Sequence, residues 1–478
     1  MKKFTLVSLA MMASASCFAQ TTLWNGENPE ISNKDYAGFW SDGKPELCDN
    51  PETNGINNSA HCLKFTINKD SKVVKLPFRE WMKPSMNGSK RISLMIKKNV
   101  NENVCVELSD PTDGSVGYWK KQVVWYSGDN KWQKLVFDFS SNGDFDNPGI
   151  MTITAQTNDF AGEQTVYIDN IVIEDAPRIN GKLFSEYNAE NPITGDLKLT
   201  GAWMKGASLN ADADWKENTY NDFEYFNSHA TDGVTSVDMR GTVTKDVDVA
   251  QFFKNPNTIV YADAAYDHAN VVVNGTAASV ELTDVNAFNA PYDFTAELVK
   301  LTRSLQKNGI NSFVLPFEVS ANELGASKVA TYKSCDLGNV ANFETAKSVV
   351  ANTPFLTTDA KEASELTFTN KSIVATPETL GTNFVGVYTR TNAEGKYGID
   401  EKGNLHKGGA GAYVNPFHAY LNVEGVTSVA FDGSVTAINN IAADKVANTA
   451  VYDLSGRRVN GKLQKGLYIM NGKKVVVK

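Results

Sequence analysis

Short stretches of strand length, in which apolar residues alternate with polar ones or run together, follow one another along most of this chain. Leu63–Ile67, Ile92–Ile96 and Leu135–Phe139 are typical of the first third. Clusters of Gly, Asn, Asp and Pro separate these stretches and provide the turns between strands. Many short strands with turn signals between them predict a β-sandwich or jelly roll. We place this domain at residues 20–177.

The pattern changes after residue 177. Residues 178–196 are predicted to be a linker, and residues 197–287 carry very short apolar pieces that predict an irregular, β-solenoid-like region. Residues 288–432 return to longer strands and predict a second β-sandwich-like module, followed by a small C-terminal β-unit in residues 433–478. The predicted fold class is therefore mostly β, with tandem β-sandwich or jelly-roll domains, a short irregular solenoid-like middle and a small terminal β-unit.

The N-terminus has the pattern of an export signal. Lys2 and Lys3 precede the apolar run Phe4–Met12, and small residues lead to Ala19. This order predicts a secretory signal peptide over residues 1–19. A lipoprotein signal ending at Cys17 is the alternative, but the residues before it lack the usual leucine. No other stretch approaches the roughly 18 apolar residues of a membrane-spanning helix, so we expect no transmembrane segment.

Composition limits the classes of partner. The 478 residues carry a formal net charge of −9, which argues against nucleic acid, since its binding needs clustered Lys and Arg. Four cysteines remain after signal cleavage, and among them Cys48 and Cys62 are close enough in sequence to pair in an oxidising compartment. There is no CxxC pair or Cys/His cluster of the kind that binds zinc.

The C-terminal 28 residues, 451–478, differ from the acidic remainder of the chain because they carry seven basic side chains and one acidic side chain. Their alternation and the Asn471-Gly472 pair predict three short strands ending in a hairpin. A hairpin that merely closes the preceding domain is one interpretation. The segments VYDLSGRRV and KGLYIMNGKKVVVK also resemble the type A C-terminal sorting domain of the type IX secretion system. The positions that carry the resemblance are Tyr452, Gly456, Arg457, Gly466, Tyr468, Lys474 and Lys478.

That resemblance implies recognition by an outer-membrane secretion machinery. It also implies delivery to the outer cell surface or the extracellular medium, which agrees with the predicted signal peptide.

Aromatic residues are concentrated in the first domain, where six of the chain's eight tryptophans lie. Trp24 and Trp132 are predicted to be core residues because they stand at the start of the domain and in an apolar strand. The others either fill the core or stack on the apolar faces of sugars. Trp119 and Trp125 have the same strand parity and would face one side of a regular strand. The candidate ligand-binding residues are Trp40, Trp81, Tyr118, Trp119, Trp125 and Tyr126.

The same domain resembles the galactose-binding-like jelly roll that many carbohydrate-binding modules share. The resemblance rests on the opening WNGE, the strand WQKLVFDF and the closing VYIDNIVIED. It implies a structural calcium ion, with Glu27 and Asp169 as carboxylate ligands, because hard oxygen ligands suit calcium. The alternative for Asp169 is that it caps a turn or faces solvent.

Enzyme motifs are missing from the sequence. It contains no GxSxG elbow, P-loop or HExxH pattern, and its five histidines are scattered. A pair of catalytic carboxylates remains an alternative, because acidic residues are abundant in the sequence. We therefore expect a secreted, surface-displayed protein that binds a polysaccharide or other glycan without catalysis. One alternative is an adhesive protein that binds other proteins, and a second is an all-β polysaccharide lyase or glycoside hydrolase.

Overall fold

The computed structural model describes residues 21–27, 45–53, 56–77, 85–88, 90–109, 120–140, 150–204, 221–245, 247–336 and 339–435, together with 451–452, 458–459, 465–470 and 473–477 of the tail. Strands dominate these residues, which confirms the mostly-β prediction. The chain forms two compact units. The first comprises Met1–Thr302 and Thr367–Thr376, and the second comprises Arg303–Leu366 and Pro377–Lys478.

A β-sandwich forms the start of the first unit. One sheet has the order β2-β3-β10-β5-β8, with β1 paired to β10, and the other has the order β4-β9-β6-β7. All of these pairings are antiparallel. The strands are β1 (Thr21–Trp24), β2 (Glu46–Asp49), β3 (His61–Ile67), β4 (Val73–Pro77), β5 (Lys90–Lys98), β6 (Glu102–Ser109), β7 (Lys120–Tyr126), β8 (Gln133–Asp138), β9 (Ile150–Thr154) and β10 (Gln164–Asp175).

The period-two pattern of the strands builds the core between these sheets. On β6, for example, Val104, Val106 and Leu108 point inward and are fully buried. Burial of apolar surface stabilises a fold by roughly 25 cal/mol per Å², so one parity of each strand must stay apolar. Trp24 and Trp132 are buried, as predicted, with exposures of 1% and 5%.

A nine-stranded sheet follows in the same unit, in the order β12-β11-β13-β15-β17-β18-β19-β20-β27, and β14 and β16 form a separate parallel pair. The pairings from β13 to β18 and between β19 and β20 are parallel, in agreement with the solenoid-like prediction. The elements are β11 (Arg178–Ile179), β12 (Lys182–Leu183), β13 (Ile193–Thr200), β14 (Ala202–Met204), the helix α1 (Asp222–His229), β15 (Ala230–Asp238), β16 (Val243–Lys245), β17 (Ile259–Ala262), β18 (Val271–Val273), β19 (Thr276–Thr283) and β20 (Phe294–Leu305); β27 is Ala363–Ile373.

Two predicted boundaries are wrong. Residues 178–196 do not form a linker, because Ile179, Tyr187 and Ile193 are buried in the core beside the nine-stranded sheet. The predicted boundary at residue 287 is also misplaced, because β20 begins after it and continues the same sheet to Thr302.

A buried ion cluster joins the sandwich to helix α1 and strand β14. Arg91 on β5 donates from Nη1 to both carboxylate oxygens of Asp222, at 3.0 Å each, and from Nε to Asp138 Oδ2 at 3.0 Å. Asp222 Oδ2 also accepts from the backbone N–H of Met204 at 2.9 Å. Beside this cluster Val136 of β8 packs on Ala202 and Met204. The outward surface of β5 and β8 is therefore covered here.

The second unit contains another sandwich-like core. Its larger sheets have the orders β21-β26-β23-β24-β34-β35 and β28-β33-β30-β31, and two strand pairs, β22-β25 and β29-β32, flank them. Phe343 of the first sheet and Phe384 of the second meet edge to face at 5.1 Å. The strands are β21 (Asn311–Phe313), β22 (Val319–Ser320), β23 (Lys328–Asp336), β24 (Val340–Ala346), β25 (Ser348–Val349), β26 (Phe355–Thr358), β28 (Phe384–Val387), β29 (Thr391–Asn392), β30 (Tyr397–Ile399), β31 (Leu405–Lys407), β32 (Tyr413–Val414), β33 (His418–Leu421), β34 (Ser428–Phe431) and β35 (Ser434–Val435).

The C-terminal residues form a four-stranded sheet in the order β37-β36-β38-β39. The strands are β36 (Val451–Tyr452), β37 (Arg458–Val459), β38 (Gly466–Met470) and β39 (Lys473–Val477). The pairing of β38 with β39 agrees with the predicted terminal hairpin. The sheet has one strand more than the three that were predicted. No helix in the described part of the chain is long and apolar enough to cross a membrane.

A buried lysine makes the stability of the first unit sensitive to pH. Lys98 on β5 is fully buried, and its Nζ donates to the carbonyls of Ala155 at 2.7 Å and Glu102 at 3.1 Å. Burial lowers the pKa of Lys98 to about 7, and the nearby Glu102 carboxylate opposes this shift. Because the folded pKa lies below the unfolded one, the unfolded chain binds more protons between these values, and stability rises with pH across that window.

We predict that the first unit gains about 2 kcal/mol of stability between pH 7 and pH 9 from this group. The substitution Lys98→Met should remove that gain. All eight tryptophans lie between residues 24 and 215, so tryptophan fluorescence during urea unfolding reports the first unit alone. Lys69→Met, at an exposed lysine, is the matched control. An unchanged pH dependence in Lys98→Met would contradict this assignment.

Candidate functional site

The aromatic candidates of the first domain fall into two groups. Trp40, Trp81, Tyr118 and Trp119 lie outside the described residues, so their assignment stays a prediction. Trp125 and Tyr126 are neighbours on β7 and therefore point to opposite sides of the sheet.

Tyr126 points inward and is fully buried. Its hydroxyl lies 2.9 Å from the carbonyl oxygen of Lys98 and 2.7 Å from that of Lys131, and its single hydrogen donates to one of them. Burial raises the pKa of Tyr126 to about 12. A ring in the core has no face for a sugar, so the expectation that Tyr126 binds ligand is wrong. Its role is to hold β5 and the turn after β7 together.

Trp125 points outward from the β4-β9-β6-β7 sheet and is half-buried. Val123 and Lys121 share its parity; both are exposed, and 46% of the Val123 side chain is accessible. Single exposed apolar residues are ordinary, but an indole beside an exposed valine on one strand gives an apolar surface to which a ligand can bind. β7 is the last strand in the order of its sheet.

The register of the sheet places polar side chains next to this surface. Asn103 on β6 lies opposite Trp125, and Glu107 lies between Lys121 on β7 and Thr152 on β9. Neighbouring side chains on one face are close enough to bind the same ligand. We define the outer face as the outward residues of these three strands: Asn103, Cys105, Glu107, Lys121, Val123, Trp125, Thr152 and Thr154.

The polar side chains of the outer face do not bind one another. Within the described part of the chain, the side chains of Asn103, Glu107 and Lys121 make no hydrogen bond or ion pair closer than 4.0 Å. All three are at least partly accessible to solvent. An amide, a carboxylate and an ammonium group therefore stand beside an indole with their hydrogen-bonding capacity available.

The two proposed calcium ligands lie near each other but bind protein groups. Asp169 is fully buried; its Oδ1 accepts from the N–H groups of Gly26 at 3.2 Å and Asn170 at 2.7 Å, and its Oδ2 accepts from Asn57 Nδ2 at 3.1 Å. Glu27 Oε1 accepts from the N–H of His61 at 2.6 Å. These N–H donors bind the same carboxylate oxygens that would coordinate a cation. The structural calcium ion therefore stays a prediction.

Asp169 therefore ties three parts of the sandwich together. They are the turn after β1, the loop before β3 and the irregularity in β10, where the register with β5 shifts between Asp169 and Val172. The prediction that Asp169 faces solvent is excluded by its burial, and a turn-binding role describes its contacts.

A cavity of about 320 Å³ lies beside the Arg91 cluster, lined in part by Phe184 and Tyr225. The two rings stack at 4.7 Å, and the Tyr225 hydroxyl donates to the Phe184 carbonyl at 3.2 Å. Arg91 is bound by Asp138 and Asp222. Because these polar groups bind one another, the cavity has fewer polar groups available to a ligand than the outer face has.

The described residues contain no group of three or more His, Cys, Asp or Glu side chains that could hold a metal ion. The sequence analysis named Trp125 as a candidate but did not name Asn103, Glu107 and Lys121 as ligand-binding residues. Their alternation along β6 and β7 was visible in the sequence, but only the strand register shows that they are neighbours of Trp125.

No protein-family model matches this sequence, and no curated protein matches it. Solved structures that resemble part of the chain include carbohydrate-binding modules. The xylan-binding CBM22-1 domain from Paenibacillus barcinonensis is 13% identical, with a TM-score of 0.23 over 32% of this chain and 94% of that one. A module of the β-sandwich superfamily described as promiscuous in specificity is 18% identical, with a TM-score of 0.24 over 33% of this chain and 62% of that one.

The family 11 module of a cellulosomal cellulase from Clostridium thermocellum is 15% identical, with a TM-score of 0.22 over 33% of this chain and 95% of that one. Each likeness covers about a third of this chain.

We predict that Asp169→Ala destabilises the first unit by about 3 kcal/mol, because it leaves several buried N–H groups without an acceptor. Urea unfolding followed by tryptophan fluorescence measures this change. Asp159→Ala, at an exposed carboxylate paired with Lys72, should change stability little.

Repeating the wild-type and Asp169→Ala measurements with calcium and with a chelator separates the two roles of Asp169. An equal loss in both conditions supports the hydrogen-bonding role. A loss seen only when calcium is present would assign the residue to a calcium ion instead.

Proposed function

We propose that this protein is an exported, non-catalytic carbohydrate-binding protein that holds a polysaccharide on the outer face. The observation that carries the proposal is the set of accessible polar side chains, Asn103, Glu107 and Lys121, in register beside Trp125. Sugars need this combination, because their rings have apolar faces and their rims carry hydroxyl groups.

In this mechanism the indole of Trp125 stacks on the apolar face of one sugar ring. Asn103, directly opposite, donates and accepts through its amide, and Glu107 accepts from hydroxyl groups. Lys121 and Thr152 extend the polar contacts across the sheet. Because the strands fix these positions, little conformational freedom is lost on binding.

We predict that Trp125→Ala weakens binding of the full-length mature chain to its polysaccharide on the order of 30-fold, which corresponds to about 2 kcal/mol. A glycan array identifies the ligand, and calorimetry with a soluble oligosaccharide measures the dissociation constant. Tyr413→Ala removes an aromatic side chain that is 53% exposed in the second unit and serves as the matched control.

Asn103→Ala and Glu107→Gln should also weaken binding without changing the unfolding midpoint. If Trp125→Ala binds like wild type, the outer face is not the site. If no glycan binds and a protein is bound through the same residues, the adhesive alternative replaces this proposal. Release of sugars from a polysaccharide panel would favour the lyase or hydrolase alternative.

The proposal for delivery rests on the two ends of the chain. Residues 1–19 have the pattern of a signal peptide, and residues 451–478 resemble a type IX sorting domain. The route is export to the periplasm followed by passage through an outer-membrane machinery to the cell surface.

We predict that deletion of residues 451–478 retains the protein in the periplasm of a host that has this secretion system. Cell fractionation and surface labelling locate the protein. Transfer of the same residues to a periplasmic reporter should bring that reporter to the surface. Normal surface levels of the truncated chain would contradict the sorting role.

A further inference from the structure

A pair of cysteines lies across the edge of the larger sandwich sheet. Cys48 on β2 is the direct antiparallel partner of Cys62 on β3, and their sulfur atoms are 3.7 Å apart. Directly paired residues of antiparallel strands have Cα atoms about 4.5–5.5 Å apart, which lies within the range that a disulfide spans. Neither strand has to move far for the two sulfurs to bond.

We propose that Cys48 and Cys62 are joined by a disulfide in the exported protein. The other two cysteines of the mature chain, Cys105 and Cys335, lie on strands of different units and stay as thiols. The inference depends on the geometry of β2 and β3 and on an oxidising compartment. It does not depend on carbohydrate binding.

The reaction is an exchange with an external disulfide, such as the oxidised dithiol of a thiol oxidoreductase or oxidised glutathione. Cys48 is partly accessible, whereas Cys62 is fully buried. The Cys48 thiolate therefore attacks the oxidant and forms a mixed disulfide. The Cys62 thiolate then attacks Cys48 Sγ, the bond between Cys48 and the oxidant breaks, and the oxidant leaves as a thiol. The two cysteines lose two electrons and two protons, and the oxidant is reduced to two thiols.

Burial raises the pKa of both thiols, and desolvation affects the Cys62 thiol most strongly. A thiol with a raised pKa is a weak nucleophile and a weak metal ligand. The environment therefore argues against a reactive thiol or a metal site at this pair, and it slows the exchange without preventing it.

The position of β2 explains what the bond stabilises. This strand has only four residues, lies at the end of its sheet and has 47% of its Leu47 side chain exposed. Short edge strands separate easily from a sheet. Asn50, just beyond β2, accepts from Trp132 Nε1 at 2.9 Å and donates to the carbonyl of Ser59 at 2.9 Å. A disulfide at Cys48 fixes the strand that leads into these contacts.

The test counts thiols in full-length protein that has been exported to an oxidising compartment. The protein is denatured without reductant, alkylated and weighed intact. We expect two alkylated thiols, against four in a sample that is reduced before alkylation, and one linked peptide pair containing Cys48 and Cys62. Four alkylated thiols, or a link that involves Cys105 or Cys335, would overturn the proposal.

A paired set of variants makes the assignment specific. Cys105→Ser combined with Cys335→Ser should show no alkylated thiol unless it is first reduced, and Cys48→Ser should show three alkylated thiols without reduction. Hydrogen exchange of the β2 amides in the wild type should be at least tenfold slower before reduction than after it. Equal exchange rates would show that no bond holds this strand.

Discussion

The constraint on which the first domain depends is the alternation of side chains along each strand. Two sheets can share a core only if one parity of every strand is apolar. On β7 this constraint assigns Val124 and Tyr126 to the interior and leaves Val123 and Trp125 outside. A functional residue in this sandwich must therefore lie on an outward parity. A shift of one residue in the register of β7 would bury the candidate site.

The outward surfaces of the two sandwich sheets differ in whether other parts of the chain cover them. On β5, Arg91 contacts Asp222 of helix α1, and on β8, Val136 contacts Ala202 and Met204 of β14. A buried ion pair of this kind contributes little net stability, because desolvation offsets most of its attraction, but breaking it is strongly destabilising. We therefore regard Arg91 as a residue that fixes the position of helix α1 on the sandwich. The surface of β6, β7 and β9 retains accessible groups and is left for a ligand.

Sequence reasoning predicted the strands, the burial of Trp24 and Trp132 and the strand pairing at the C-terminus, because hydrophobic periodicity records local burial. It was wrong about Tyr126, since aromatic content alone does not show which parity faces the core. It also could not pair Arg91 with Asp222, which are 131 residues apart. The relation between Asn103 and Trp125 was hidden for a similar reason, because strand register depends on long-range pairing.

The charges on the outer face bear on the kind of glycan that it would hold. Glu107 and Lys121 are direct cross-strand partners of opposite sign, so their local charges offset each other. The chain as a whole carries a net charge of −9, and a charge of that sign repels an anionic polymer at low ionic strength. A neutral polysaccharide meets no such repulsion and can use both groups as hydrogen-bonding partners. Affinity that depends little on salt is therefore the behaviour that this arrangement of charges favours.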